Sequence, residues 1–262
     1  MTETGPDPTS PKPATSSRLS RHVSADLALR VSDMCTSASV YCERAFEVSR
    51  FFKLLDSGGV TSALLGYVFA QYGFFRIQLH RWFCLCIMKA SNAAEVLQRD
   101  AIMALADHIF TDLRDDHDVL FSHMLEQLGV GPDRPQDDAP SQATRTYIKS
   151  FAEEFGGPER DLREALGGLS GRELSVALRN RRLLSGYFER LQLPRPLWLT
   201  LHAELEVDHC FDVLRPVATW IGEDSAVHAK VRAAIECSIQ RHVQYLDDLL
   251  QEFQAREVAD GN

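Results

Sequence analysis

Positive charge is in short supply in this sequence. Across 262 residues, 28 Lys and Arg face 37 Asp and Glu, leaving a formal net charge of −9. A general nucleic-acid or anionic-membrane binder needs a net basic face, so neither role fits. The arginines of RELSVALRNRRLL (Arg172, Arg179, Arg181, Arg182) have no interleaved aromatics and read as a solvated helix face. Long apolar runs are missing too. The densest, Phe83 to Met88, falls far below the about 20 residues of a membrane span. The opening MTETGPDPTSPKPATSS lacks the apolar core of a signal peptide. The six cysteines (Cys35, Cys42, Cys84, Cys86, Cys210 and Cys237) form no CxxC pair and are too sparse for a disulfide framework, so they read as reduced thiols. These absences predict a cytoplasmic protein with neither a membrane nor a nucleic-acid partner.

What is present is an ordinary globular balance, 45% hydrophobic and 25% charged, ample for a buried core. Residues Met1–Ser24 are rich in Pro, Ser and Thr and predict a flexible tail. From Ala25 onward, apolar residues recur at three- and four-residue steps. Helical stretches follow over 29–52, 60–90 (two), 93–128, 144–155, 160–190, 197–217 and 225–255. Gly129 with Pro132, the GGP at 156–158 and the LPRP at 193–196 punctuate them. No alternating strand pattern emerges. The sequence predicts an all-α fold, one bundle of seven or eight helices spanning 25–258. Its long C-terminal helix offers a homodimer face or packs on its own bundle.

The sharpest chemical pattern is LHAELEVDHCFDVL, which sets His202, Glu206 and His209 at i, i+4 and i+7. At about 100° per residue, these offsets fall within ~40° and ~20° of the starting direction. Two imidazoles and a carboxylate therefore share one helix face, a donor set suited to iron, manganese or zinc inside a bundle. Glu204, Asp208 and Asp212 allow a solvated face instead, but Leu199, Leu205, Phe211 and Val213 flank the His face with apolar residues. A bundle metal site draws ligands from facing helices. The span 108–130 supplies a second cluster, with His108, Asp112, Asp115, Asp116, His117, Asp118 and His123.

These residues resemble the haem-oxygenase-like di-iron oxidases and oxygenases, which share the fold of the TenA thiaminases and PqqC and include a chlamydial p-aminobenzoate-forming oxygenase. The resemblance lies in Asp107-His108-Ile109-Phe110-Thr111-Asp112, in His117 with Leu120-Phe121 and Leu128-Gly129, and in the triplet His202, Glu206, His209. The stretch at 51–79 is similar to the family's Ser-x-Gly turn and aromatic-rich helix. It implies a TenA/PqqC-like bundle that binds Fe(II), two ions with manganese able to replace one, and uses O2 as co-substrate. A small amine, amino-acid or carboxylate substrate and an external electron donor are also implied. The implied metal ligands are Asp112, His117, Glu173, His202, Glu206 and His209. Arg76, one helical turn from His80, would hold a substrate carboxylate or equally pair with one of the chain's many acids; Tyr72, Phe74 and Phe75 read as core.

Three positions depart from the family pattern. Only four residues separate Asp112 from His117, where a Glu with six between is usual, and on an unbroken helix the two differ by about 140°. They share a site only across a helix distortion. An undistorted helix pairs Asp116 with His123, or aligns His108, Asp112 and Asp115. A gapless count places Ser170 where a carboxylate is expected, with Glu173 reached by a shift of a few residues and Glu164 a further choice. Glu206 replaces the commoner Asp. Two other readings stay open: a TenA-like hydrolase using Cys84, Cys86 or Cys210 as nucleophile, and a silent helical interaction protein.

Overall fold

The computed structural model describes residues 24–90, 95–114, 116–131, 139–218, 221 and 224–260. The expected tail, except Ser24, lies outside them, as does Asp115. Ser24 caps the first helix by accepting from the Leu27 amide. The described residues form α1 (Ala25–Val48), α2 (Arg50–Asp56), α3 (Ser62–Arg76), α4 (Leu79–Met88) and α5 (Val96–Arg114), then α6 (His117–Gln127), α7 (Gln142–Gly156), α8 (Leu162–Leu183), α9 (Leu197–Leu214) and α10 (Ser225–Asp260). A π-helical turn, Leu184–Glu189, extends α8. No strand occurs among the described residues. All eight expected helical stretches are present. Two are interrupted, at Ser49 and at Asp116, which gives ten α-helices among the described residues.

The helix at the centre is α8, packed against α9 on one side and α10 on the other. Its LGGLSG segment explains how it fits. A Cβ on Gly171 would lie 2.5 Å from the Ile235 carbonyl oxygen, and one on Gly167 2.9 Å from that of Val231. Only glycine lets α8 and α10 approach backbone to backbone here. Tyr72 and Phe75 are buried core residues, as expected. Arg172 and Arg179 are buried as well, which corrects the reading of 172–184 as a solvated face. Composition alone did not reveal that α8 is surrounded. Arg179 compensates its burial by lying over the rings of Tyr72 and Phe69 and by bonding Asn180 Oδ1.

The break between α5 and α6 matters most for the site. Asp116 takes φ 50°, ψ 39°, a left-handed conformation that ends α5 and restarts the chain as α6 at His117. No described helix is long and apolar enough to cross a membrane.

Candidate metal centre

Four helices direct acids and imidazoles to one place. From α9 come His202 and Glu206, both buried, and His209, nearly so. From α8 comes Glu173, fully buried. From α5 come His108 and Asp112, and His117 opens α6. One ligand atom from each of His108, Glu173, Glu206 and His209 lies within 4.8 Å of the others. Beside them, the rings of His117 and His202 are 4.8 Å apart, and Asp112 Oδ1 is 3.0 Å from His117 Nδ1. A cavity of about 80 Å³ unites the two groups, lined by His108, Asp112, His117, His202 and Glu206.

The helix break makes this possible. Because the left-handed Asp116 stands between the end of α5 at Arg114 and the start of α6 at His117, Asp112 and His117 face each other despite the 140° an unbroken helix would impose. The undistorted alternative does not form: His123 is exposed and outside the cavity, and Asp116 is exposed at its margin. His108 does join, on the same face of α5 as Asp112 one turn away. That spacing was the available signal, and it appeared only in the alignment of His108 with Asp112. On α8 the carboxylate present is Glu173. Ser170 donates its hydroxyl to the Gly167 carbonyl, and Glu164 serves the N-terminal cap of α8.

Hydrogen bonds orient the donors. His202 Nδ1–H donates to the Trp198 carbonyl at 2.8 Å, which leaves Nε2 with its lone pair. The Trp198 ring stacks on the same imidazole. His117 Nδ1–H donates to Asp112, and its buried Nε2 has no hydrogen-bond partner among the described residues. Glu173 accepts from Arg172 Nη1 at 2.5 Å through Oε2, while its buried Oε1 is likewise unpartnered. Arg172 Nη2 donates to the Tyr72 hydroxyl at 2.8 Å.

Electrostatics divides these groups by proton demand. Burial, together with the charge on Glu173, pushes Glu206 up to about 8. Burial pulls His209 down, but the hydrogen bond and charge of Glu206 outweigh it and raise His209 to about 9. Burial and the neighbouring His209 bring His108 down to about 3. For Glu173, burial is outweighed by the charge of the adjacent Arg172 guanidinium, which lowers it below the usual carboxylate range. Asp112 is held well below the usual carboxylate range because hydrogen bonds from His117 and His80 outweigh its burial. Clustered imidazoles, carboxylates and unpartnered buried donor atoms suit a divalent cation.

Arg76 also lines this cavity, ion-paired with the exposed Asp118. His80 Nε2 lies 3.6 Å from Asp112 Oδ2. A larger groove of about 280 Å³ between α1 and α10 is lined by Asp33, His228 and Glu236, which form no ligand group among the described residues, and its Arg30 and Arg232 are taken up by Asp26 and Glu236. No cysteine lines the metal-centre cavity, which leaves the hydrolase reading without a nucleophile there.

Residues 67–254 match the protein family described as iron-containing redox enzyme, haem-oxygenase-like. The chain belongs to that family. Over 164 residues it is 26% identical to a 4-chloro-allylglycine synthase of Streptantibioticus cattleyicolor, covering 59% of this chain and 58% of that protein. The match thus spans under two thirds of the relative's length. Among solved structures, a Shewanella denitrificans domain with a haem-oxygenase-like fold aligns with a TM-score of 0.71 at 15% identity, over 87% of this chain and 94% of that one. A CADD-like protein from Nostoc punctiforme aligns at 0.67 with 16% identity, over 86% and 98%. A TenA homologue from Pseudomonas syringae pv. tomato gives 0.67 with 13% identity, over 86% and 93%. These likenesses establish a haem-oxygenase-like, TenA-like fold, within a family of iron-containing redox enzymes.

Proposed function

We propose that this chain is an O2-activating oxidase or oxygenase acting on a small amine, amino-acid or carboxylate substrate in a biosynthetic pathway. The observation that carries it is the convergence of His108, Glu173, Glu206 and His209 within 4.8 Å, next to His117, His202 and Asp112 on the same cavity. Two ions are proposed. His108, Glu173, Glu206 and His209 would hold one, and His117, His202 and Asp112 would hold the other; manganese would be able to replace one iron. Iron supplies the one-electron steps that O2 chemistry requires.

The chain's own residues do the rest. Trp198 and Asp112 fix the imidazoles of His202 and His117 before metal arrives, so no ordering is needed on binding. Trp198 and Tyr72 wall the centre with packed aromatic rings and keep bulk water out. Arg76 at the cavity holds a substrate carboxylate, which takes the place of Asp118 on its guanidinium. An amino-acid substrate is in keeping with the name of the Streptantibioticus relative, a 4-chloro-allylglycine synthase. An external electron donor, a homodimer, a cytoplasmic location and a single bundle domain over 25–258 complete the proposal.

The deciding experiment is an anaerobic Fe(II) titration of the chelator-treated protein, followed by addition of O2. Uptake of two ions per chain and a visible band that appears with O2 support the reading. A single ion leaves only the first group as a site. No uptake returns the chain to the silent interaction protein.

A further inference from the structure

Two thiols meet behind the metal centre. Cys35 on α1 and Cys210 on α9, 175 residues apart in sequence, have their sulfurs 3.5 Å apart. Cys210 is buried and Cys35 partly exposed, and all six cysteines are free thiols. We propose that Cys35 and Cys210 form a reversible, peroxide-responsive disulfide that fastens α9 to α1. The proposal stands whether or not the neighbouring centre binds iron.

Proximity is the first support. A disulfide needs sulfurs at about 2.05 Å, so closure asks them to approach by only ~1.5 Å from their present contact. The helices are already packed against each other. Asymmetry of access is the second. An oxidant arriving from solvent meets Cys35 first, while Cys210 is shielded until its partner has reacted. The hydrogen bond from Cys210 also lowers the Cys35 thiol from its ordinary value, although burial opposes it. Cys35 is therefore the thiolate of the pair and Cys210 the resolving thiol. The remaining cysteines lack this arrangement. Cys42 is pushed up to about 12 by burial, as is Cys86, and Cys84 is simply exposed.

The chemistry balances with a hydroperoxide as oxidant. The Cys35 sulfur attacks one peroxide oxygen; an S–O bond forms, the O–O bond breaks, and the departing oxygen leaves as water after protonation. The Cys210 sulfur then attacks the sulfenic sulfur, the S–S bond forms, the S–O bond breaks and a second water leaves. Two thiols and one hydrogen peroxide become one disulfide and two waters. Because Cys210 directly follows His209, the bond anchors the turn of α9 that presents this imidazole to the centre.

Peptide mapping tests the assignment on the full chain. The reduced protein is exposed to hydrogen peroxide, alkylated in denaturant and digested with trypsin. The expected product joins Val31–Arg44 to Leu191–Lys230 and disappears on treatment with dithiothreitol. Since Val31–Arg44 also carries Cys42, the link must vanish in Cys35→Ser and persist in Cys42→Ser. In Cys210→Ala, trapping of Cys35 sulfenic acid by dimedone should rise about tenfold over the wild type, since the resolving thiol is gone. Recovery of wild-type Cys35 as a sulfinic acid without the linked fragment overturns the proposal. So does a link that survives in Cys35→Ser. The wild-type map decides the matter even if a variant fails to fold.

Discussion

At the scale of single residues, the centre is a set of protons waiting to be displaced. Glu206 and His209 are hydrogen-bonded and both raised above their ordinary values, so the pair holds a proton at neutral pH that a cation must expel to bind. Metal affinity should therefore rise steadily from pH 6 to pH 9. Titration calorimetry with Mn(II) in buffers of different ionisation enthalpy should show proton release on binding, and no release would contradict the assigned protonation. Replacing Asp112 by Asn removes the charge that fixes His117; under the two-ion proposal, affinity at the His117 and His202 position should fall by about 10–100-fold while the first still fills. Iron counted per chain after desalting reads both sites. His123→Ala should leave that count unchanged, since His123 is exposed and away from the cavity.

Much of this was legible in the sequence. The i, i+4, i+7 spacing of His202, Glu206 and His209 demanded one helix face, and that face is buried. His108 was harder to single out, because an imidazole one turn from an aspartate is equally at home on a surface. Whether it points inward depends on what α5 packs against, which local spacing does not encode. The buried Arg172 and Arg179 were missed for the same reason.

At the scale of elements, two local departures from regular helix carry the architecture. The left-handed Asp116 reorients the chain so that residues 112 and 117 meet, and the sequence announced the need for such a distortion without naming its place. Asp116→Gly relieves the non-glycine strain at φ 50° and should be neutral or stabilising by about 0.5–1 kcal/mol, read from the urea midpoint. The close approach of α8 and α10 is the second departure. Gly171→Ala sets a methyl 2.5 Å from a backbone oxygen that cannot swing aside, so the helices must part. A destabilisation of about 1–3 kcal/mol is expected in the same measurement. The segment LGGLSG gave no hint of which helix lies opposite.

At the scale of the whole molecule, stability should fall on the acid side of neutrality. His242 is fully buried on α10, 2.8 Å from the Tyr147 hydroxyl and facing Arg172 and Arg179. Burial and these two cations drive its pKa well below the ordinary value. The unfolded chain takes up a proton below about pH 6.5 that the folded chain refuses, so each further unit of acid costs about 1.4 kcal/mol from this residue. Its stabilising contribution is fully present above pH 6.5 and is lost as pH falls. His242→Phe should flatten the dependence of unfolding free energy on pH between 5 and 6.5, and an unchanged slope would place the sensitivity elsewhere. The bundle itself was readable from periodicity, since every long stretch kept its three- and four-residue rhythm. The order in which helices pack was not, because it depends on pairings between residues far apart in sequence.

The ion pair of Arg172 with Glu173 bears on how such a protein is made. A guanidinium stays charged at every physiological pH, so the most deeply buried acid of the centre has a permanent counter-ion from the moment α8 is packed. Nothing about the interior then waits on iron for neutrality. The polypeptide can leave the ribosome, collapse and persist as a finished vessel through iron scarcity, and fill when the supply returns. Chelation should empty such a protein without melting its helices, unlike a zinc finger, whose fold departs with its ion.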